Sequence, residues 1–255
     1  MSLILLGAGK GAPGVTTAVV ALAAVWPRRG VVAECDPAGA DLVLRLVNQE
    51  GRPLAQDHGI LSLAAAVGSH HAELALNDHV QTAAGGLDVL VGAPSPRHAA
   101  ALEPLWPALG VHLAAAEDCD VLADCGRLTP PTVALRLEAG ARLLVLLARA
   151  TPAGIAHLRP ILADLDQRGL SEKVVVLPIG EDRRRVRDEV TDVVRQLCGP
   201  TPPPVVGPLA LDPSAAAGLA GEWTRHLDRT PLVASARRVA HELDVLLAAQ
   251  LTVAG

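Results

Sequence analysis

The chemistry of this sequence is concentrated near its start. Gly9-Lys10-Gly11-Ala12-Pro13-Gly14-Val15-Thr16-Thr17 follows a short apolar run and leads straight into an apolar helical pattern. Glycines in such a turn let successive backbone N–H groups point inward around an anion, and the helix start behind them adds the positive end of its dipole. The group such a loop cradles is a phosphate. Against the general form G-x-x-x-x-G-K-[ST], Gly9, Gly14 and Thr16 are in place, while Val15 stands where the lysine belongs. A strand-to-helix turn with no ligand can have the same glycine content, so other residues must supply what a phosphate site needs.

Two acidic segments do so. The run 31–35 ends in Glu34-Cys35-Asp36-Pro37, followed by Ala38-Gly39-Ala40-Asp41. Further on, Asp120-Val121-Leu122-Ala123-Asp124-Cys125-Gly126 has the apolar-strand-then-aspartate form of a Walker B segment. Carboxylates at the C-terminal ends of parallel strands face the ligand crevice. Asp124 is therefore a candidate for holding Mg²⁺ through water, together with the Thr16 hydroxyl. An aspartate that merely caps a turn at a strand end is the plain structural alternative.

The elements that must position these residues are legible as alternation. Short β-rich apolar runs at 3–6, 31–35, 87–91, 121–124, 143–147, 174–177 and 205–209 are separated by longer helical patterns. Each run is continuously apolar, as expected of strands covered on both faces. The predicted architecture is α/β: a doubly wound, mostly parallel sheet with helices on both faces, three layers in all. Punctuation by Pro and Gly predicts helices over 16–26, 155–167 and 182–197. The segment 48–85 reads as helices and loops over one face, and 201–204 as a stiff connector. No repeat or abrupt compositional change divides the 255 residues, which predicts a single domain over 1–255.

Taken in order, these motifs resemble the ParA/MinD family of deviant P-loop ATPases, over a span from Leu3 to about Leu251. Its loop form K-G-G-x-G-K-[ST]-T is matched in register by Lys10, Gly11, Gly14, Thr16 and Thr17, and its D-x-D-P-x-G segment by the stretch that holds Asp36, with Glu34 at the first Asp position. The resemblance implies a homodimer with ATP and Mg²⁺ sandwiched between subunits. In it Lys10 would reach the partner's phosphates, and Asp36 would orient the attacking water or the magnesium shell. Nucleotide contacts would come from residues 9–17, and the metal shell from Thr16, Asp36 and Asp124. Base contacts would fall near Pro178, where Pro178-Ile179 replaces the family's usual Asn, and near Leu211. The implied function is a dimerising switch in intracellular positioning or partitioning, stimulated by a protein partner. Val15 favours the alternative of a pseudo-ATPase scaffold for pilus or secretion-type machinery.

Composition narrows the partners. A net charge of -5 gives no global attraction to nucleic acid. Nonspecific DNA binding would have to use the local cluster Arg183, Arg184, Arg185 and Arg187, and the flanking Glu181, Asp182, Asp188 and Glu189 read instead as a salt-bridged helix face. No segment approaches the roughly 20 apolar residues of a membrane span, and the start has no basic, cleavable leader, so the expected location is cytoplasmic. The final helical segment, 231–251, carries too few basic residues for an interfacial anchor and reads as a packing helix. Cys35, Cys119, Cys125 and Cys198 form no C-x-x-C pair and read as reduced, mostly buried thiols. They do not match the iron-sulfur pattern of the nitrogenase iron-protein branch, and the absence of tyrosine excludes the autophosphorylating tyrosine-kinase branch. His58, His70, His71 and His79 read as surface residues.

Overall fold

Every residue of β1 (Leu3–Ala8) is buried, which requires cover on both sides of the sheet. Its side chains alternate accordingly: Leu3 and Leu5 join one core, and Ile4, Leu6 and Ala8 join the other. The computed structural model describes residues 1–10, 14–69, 75–128, 133–181, 184–221 and 226–253. Its sheet contains β1, β2 (Gly30–Glu34), β3 (Gln81–Thr82), β4 (Asp88–Leu90), β5 (Asp120–Arg127), β6 (Ala141–Arg149), β7 (Val174–Gly180) and β8 (Leu209–Ala210), in the order β3-β4-β2-β5-β1-β6-β7-β8. All neighbours pair in parallel except β3 and β4. The chain winds outward from β1 in both directions, so ligand crevices are expected at the C-terminal ends of the central strands.

Helices cover both faces. On the side of Leu3 and Leu5 lie α3 (Ile60–Gly68), α4 (Pro96–Ala101), α5 (Trp106–Ala114), α6 (Pro152–Ala156), α7 (Arg159–Gln167) and α8 (Arg184–Cys198). On the other side lie α1 (Val15–Ala23), α2 (Leu42–Arg45), α9 (Pro213–Leu219) and α10 (Pro231–Val253). The helix α10 seats Leu232, Ala236, Val239, Ala240, Leu243 and Leu247 on that core, a stripe at helical spacing. It is the packing helix expected at 231–251. Among the described residues no helix is long and apolar enough to cross a membrane. The architecture is the three-layer α/β arrangement predicted from the alternation.

Several boundaries differ from expectation, each for a local reason. The run 205–209 is not one strand: Val205 makes only an isolated bridge to Val176, and β8 begins at Leu209. Gly207 and Pro208 interrupt it, and proline cannot donate to a ladder. The segment 48–85 holds, besides α3, the short antiparallel β3 against β4, which covers the sheet edge. The helix predicted over 155–167 is two helices, since α6 ends before Arg159-Pro160 starts α7. Asp182, placed at the start of a helix over 182–197, lies outside the described residues. The other boundaries shift by a few residues, and α4 and α5 carried no distinct sequence signal.

The N-terminal end of the central strands, opposite the glycine-rich loop, is fixed by one buried charge. The fully buried Asp120 carboxylate accepts hydrogen bonds from Ser2 N (2.8 Å), Trp26 Nε1 (2.9 Å) and Arg28 Nε (2.9 Å). Arg28 also pairs with Asp244 on α10. One side chain thus joins the starts of β1 and β5, the turn before β2 and α10. Removing one member of such a group leaves the others unpaired in the interior. Asp120→Ala is expected to lower stability by about 3 kcal/mol in urea unfolding, and a loss below about 1 kcal/mol would show that water takes over the donors.

Candidate functional site

The strand β1 delivers Gly9 and an exposed Lys10, which makes no hydrogen bond or ion pair with a described residue. Gly11, Ala12 and Pro13, three of the candidate phosphate-loop positions, lie outside the described residues. At Gly14 the backbone is left-handed, with φ 82° and ψ 50°, and this residue starts α1 without any side-chain cap. Such a φ favours glycine. Ala18 N donates back to Gly14 O at 3.0 Å, so the N–H groups of Val15, Thr16 and Thr17 precede the first intrahelical bond and have no acceptor among the described residues. In contrast, α6 and α9 are capped by Thr151 and Asp212, which accept from Gly154 N and Ala215 N. An anion at the open end of α1 would satisfy these donors and the helix dipole together.

Val15 is only 4% exposed and belongs to the core beneath α1. The residue in the lysine position is here a packing residue. Thr16 and Thr17 are half-buried.

Beside this helix start, two carboxylates converge. Asp124 is 2% exposed, and its Oδ1 accepts from Gly126 N at 3.0 Å. Burial pushes the Asp124 carboxyl up to about 6, partly opposed by hydrogen bonds from the Thr16 hydroxyl and Gly126 N–H and reinforced by the negative charges of Asp36 and Glu34. Asp36 is half-buried and accepts from Ala38 N at 2.8 Å. Burial raises its pKa, with the Ala38 N–H opposing and Asp41 adding to the rise. The Asp36 carboxylate lies over Gly126, where any Cβ would overlap its oxygens, and Gly126 itself has φ +56°. Thr16, Asp36 and Asp124, far apart in sequence, are thus brought to one place.

Glu34 has a different task, which sequence reasoning did not assign. Its Oε1 accepts from Asp41 N (2.9 Å) and Leu42 N (2.8 Å), and its Oε2 from Gly92 N (3.0 Å). Burial nevertheless raises its pKa, with these N–H groups opposing. Glu34 holds the start of α2 and the end of β4, so the loop carrying Asp36 leaves β2 along a fixed path. The only sequence signal was a glutamate where the family motif carries its first aspartate.

Other expectations sort as follows. Pro178 is buried within β7, paired with Ala148, rather than standing open at the crevice. The strand was read as 174–177 with Pro178 just beyond it, but β7 runs on to Gly180, whose carbonyl accepts from Leu211 N at 2.8 Å. Leu211 is 52% exposed at that edge. Arg185 pairs with Glu189 and Arg187 with Glu242, as expected of a salt-bridged face; Arg183 lies outside the described residues. His58 and His79 are not plain surface residues, since both are half-buried with ring centroids 6.3 Å apart, and Ser62 Oγ lies 2.8 Å from His79 Nδ1. His70 and His71 lie outside the described residues. Cys35, Cys119 and Cys125 are buried, Cys198 is half-buried, and none is in a disulfide.

Two carboxylates and a hydroxyl are hard oxygen donors of the kind Mg²⁺ accepts. Among the described residues no three His, Cys, Asp or Glu side chains cluster to hold a metal. Mg²⁺ is commonly held by one or two carboxylates, with water and phosphate oxygens completing its shell. The raised pKa of Asp124 fits too, because a cation would remove the cost of keeping that buried group ionised.

This burial has a pH signature. The Asp124 carboxyl titrates near 6 in the fold and at its ordinary value of 3.8 in the unfolded chain. Between those values the folded state binds more protons, so stability is highest below the window, falls as pH rises through it and is level above. The full effect is about 3 kcal/mol. Asp124→Asn is expected to stabilise the ligand-free protein at pH 7.5 by about 2 kcal/mol and to flatten its unfolding free energy between pH 4 and 7. An unchanged pH profile would show that Asp124 stays ionised without cost.

The septum site-determining protein MinD of Pyrococcus horikoshii OT3, complexed with Mg-ADP, aligns with a TM-score of 0.69 at 18% identity, covering 96% of this chain and 97% of that one. A ParA family ATPase from Chlorobium tepidum TLS aligns at TM-score 0.67 and 16% identity, over 95% and 99%. The Cyanothece McdA(D38A)-ATP complex aligns at 0.69 and 12%, over 97% and 96%. A scan against protein-family models finds no match, and a search of curated proteins finds no relative. The eight-stranded sheet and its helices therefore have the fold of the MinD and ParA P-loop ATPases.

Proposed function

We propose that this chain is a ParA/MinD-like nucleotide-binding switch that acts in intracellular positioning or partitioning, with slow or no hydrolysis. The observation that carries the reading is the uncapped, glycine-turned start of α1 beside the convergent Asp36 and Asp124. ATP phosphates would accept the N–H groups of residues 14–17. Thr16, Asp36 and Asp124 would hold Mg²⁺, which when bound would screen phosphate charge. Asp36, anchored by Ala38 N, would orient a water toward the terminal phosphate, and Lys10, unpaired at the loop, would serve the phosphates of a second copy in a homodimer. Residues 1–255 would act as one domain. MinD of Aquifex aeolicus is solved in complex with MinC, which supports regulation by a protein partner here. Cytoplasmic location belongs to the same reading, and DNA is the weaker candidate surface because Arg185 and Arg187 are already paired.

A second reading, a nucleotide-independent scaffold, is favoured by one observation: Val15 is buried in the core. Losing a lysine contact while phosphates stay bound costs roughly 2 to 4 kcal/mol, or about two to three decades. Backbone donors and Mg²⁺ can carry binding through such a loss more readily than turnover.

Val15→Lys separates the readings. With a slowly hydrolysed ATP analogue and Mg²⁺, the variant is expected to bind at least about tenfold more tightly than the natural chain, to form dimers by light scattering, and to gain measurable ATP hydrolysis. A folded variant that gains none of these, with its helical circular dichroism intact, would favour the scaffold.

A further inference from the structure

The missing lysine leaves the loop short of a cation on its own chain, and the sheet presents one in an unexpected place. Along the β1–β5 ladder, Leu6 pairs with Asp124 but Ala8 pairs with Arg127, so β5 advances three residues while β1 advances two. The extra residue is accommodated at the left-handed Gly126. Bulges of this kind re-aim a side chain, and they cluster beside active sites. Here the bulge places Arg127 directly beside Ala8, the residue before Gly9, and Leu128 N donates to Ala8 O at 2.8 Å to fix it there.

Arg127 is the one exposed residue of β5, after seven buried ones. It makes no hydrogen bond or ion pair with any described residue, whereas Arg28, Arg29, Arg45, Arg136, Arg168 and Arg187 all pair with carboxylates. Its freedom is notable because Asp124 and Asp36 lie so close: Asp124 is three residues away, and Asp36 lies against the adjoining Gly126. No ion pair joins the guanidinium to either acid. Lys10, two residues past β1, and Arg149 at the end of β6 are likewise exposed without a described partner, so cations without a described partner stand at or just past the ends of three adjacent strands, beside the uncapped start of α1. A chain of phosphates is the ligand class that such an arrangement fits.

We infer that Arg127 supplies, from the neighbouring strand, the phosphate-binding charge that Val15 cannot. The inference rests on the nucleotide reading above and adds the residue that makes it workable. Arg127 is preferred to Arg149 because it pairs with Ala8 itself, whereas Ala8 meets β6 at Leu147, two residues before Arg149. An arginine fork also matches phosphate oxygens in pairs, which a lysine does not.

The test is a calorimetric titration of the full chain with a slowly hydrolysed ATP analogue and Mg²⁺, comparing the natural protein, Arg127→Ala, Arg149→Ala and the double variant Val15→Lys/Arg127→Ala. Arg127→Ala is expected to weaken binding at least about 30-fold, with an unchanged melting temperature because the side chain is exposed and unpaired. Arg149→Ala is expected to weaken it less. The double variant is expected to recover at least about tenfold, since a lysine at 15 would restore the same charge. Binding by Arg127→Ala within about threefold of the natural chain would overturn the inference and leave the nucleotide reading standing, as would a loss that Val15→Lys fails to recover. No binding by the natural chain at millimolar nucleotide would overturn the nucleotide reading itself, and this inference with it.

Discussion

Three carboxylates crowd the C-terminal ends of β2 and β5, and burial raises the pKa of each. Ionised acids so near one another are costly in a dry interior. Much of the surrounding backbone is arranged to bear them. Glu34 receives three N–H donors, Asp36 one and Asp124 one, and each donor belongs to a turn or element end that is thereby held in place. The exit from β2, the start of α2, the end of β4 and the bulge in β5 all depend on this set. Asp36 and Asp124 each retain acceptor capacity that these N–H donors do not use, which is what a cation needs.

The two ends of the sheet show opposite uses of charge. At one end Asp120 is fully matched by an amide, an indole and a guanidinium, and it joins four elements. At the other end the acids lack a cationic partner and the cations Lys10, Arg127 and Arg149 lack a described anionic one, although they stand within one region. The matched end holds elements together, and the unmatched end is the one that the nucleotide reading would use. Val15 sharpens the point, because the position where the P-loop form has its lysine holds a buried valine.

Much of this could be read in the sequence because buried parallel strands are apolar on both faces and Gly and Pro mark where they stop. The loop at 9–17 and the acids at 36 and 124 stood out because each has a residue type that a strand end rarely needs for packing alone. What could not be read depended on register. The role of Glu34 needs the positions of Asp41, Leu42 and Gly92 in space, and nothing in its own neighbourhood announces them. Arg127 is an ordinary arginine until one extra residue at Gly126 moves it beside Ala8. Pro178 was misplaced for the same reason, since β7 runs two residues beyond it before the crevice opens.

The most direct test of the account is a crystal structure of the chain grown with Mg²⁺ and a slowly hydrolysed ATP analogue. The account predicts phosphates seated on the N–H groups that follow Gly14, with the cation on the side of Thr16, Asp36 and Asp124. Crystals grown at millimolar nucleotide with no density over the start of α1 would contradict it and leave a scaffold that has kept the fold alone.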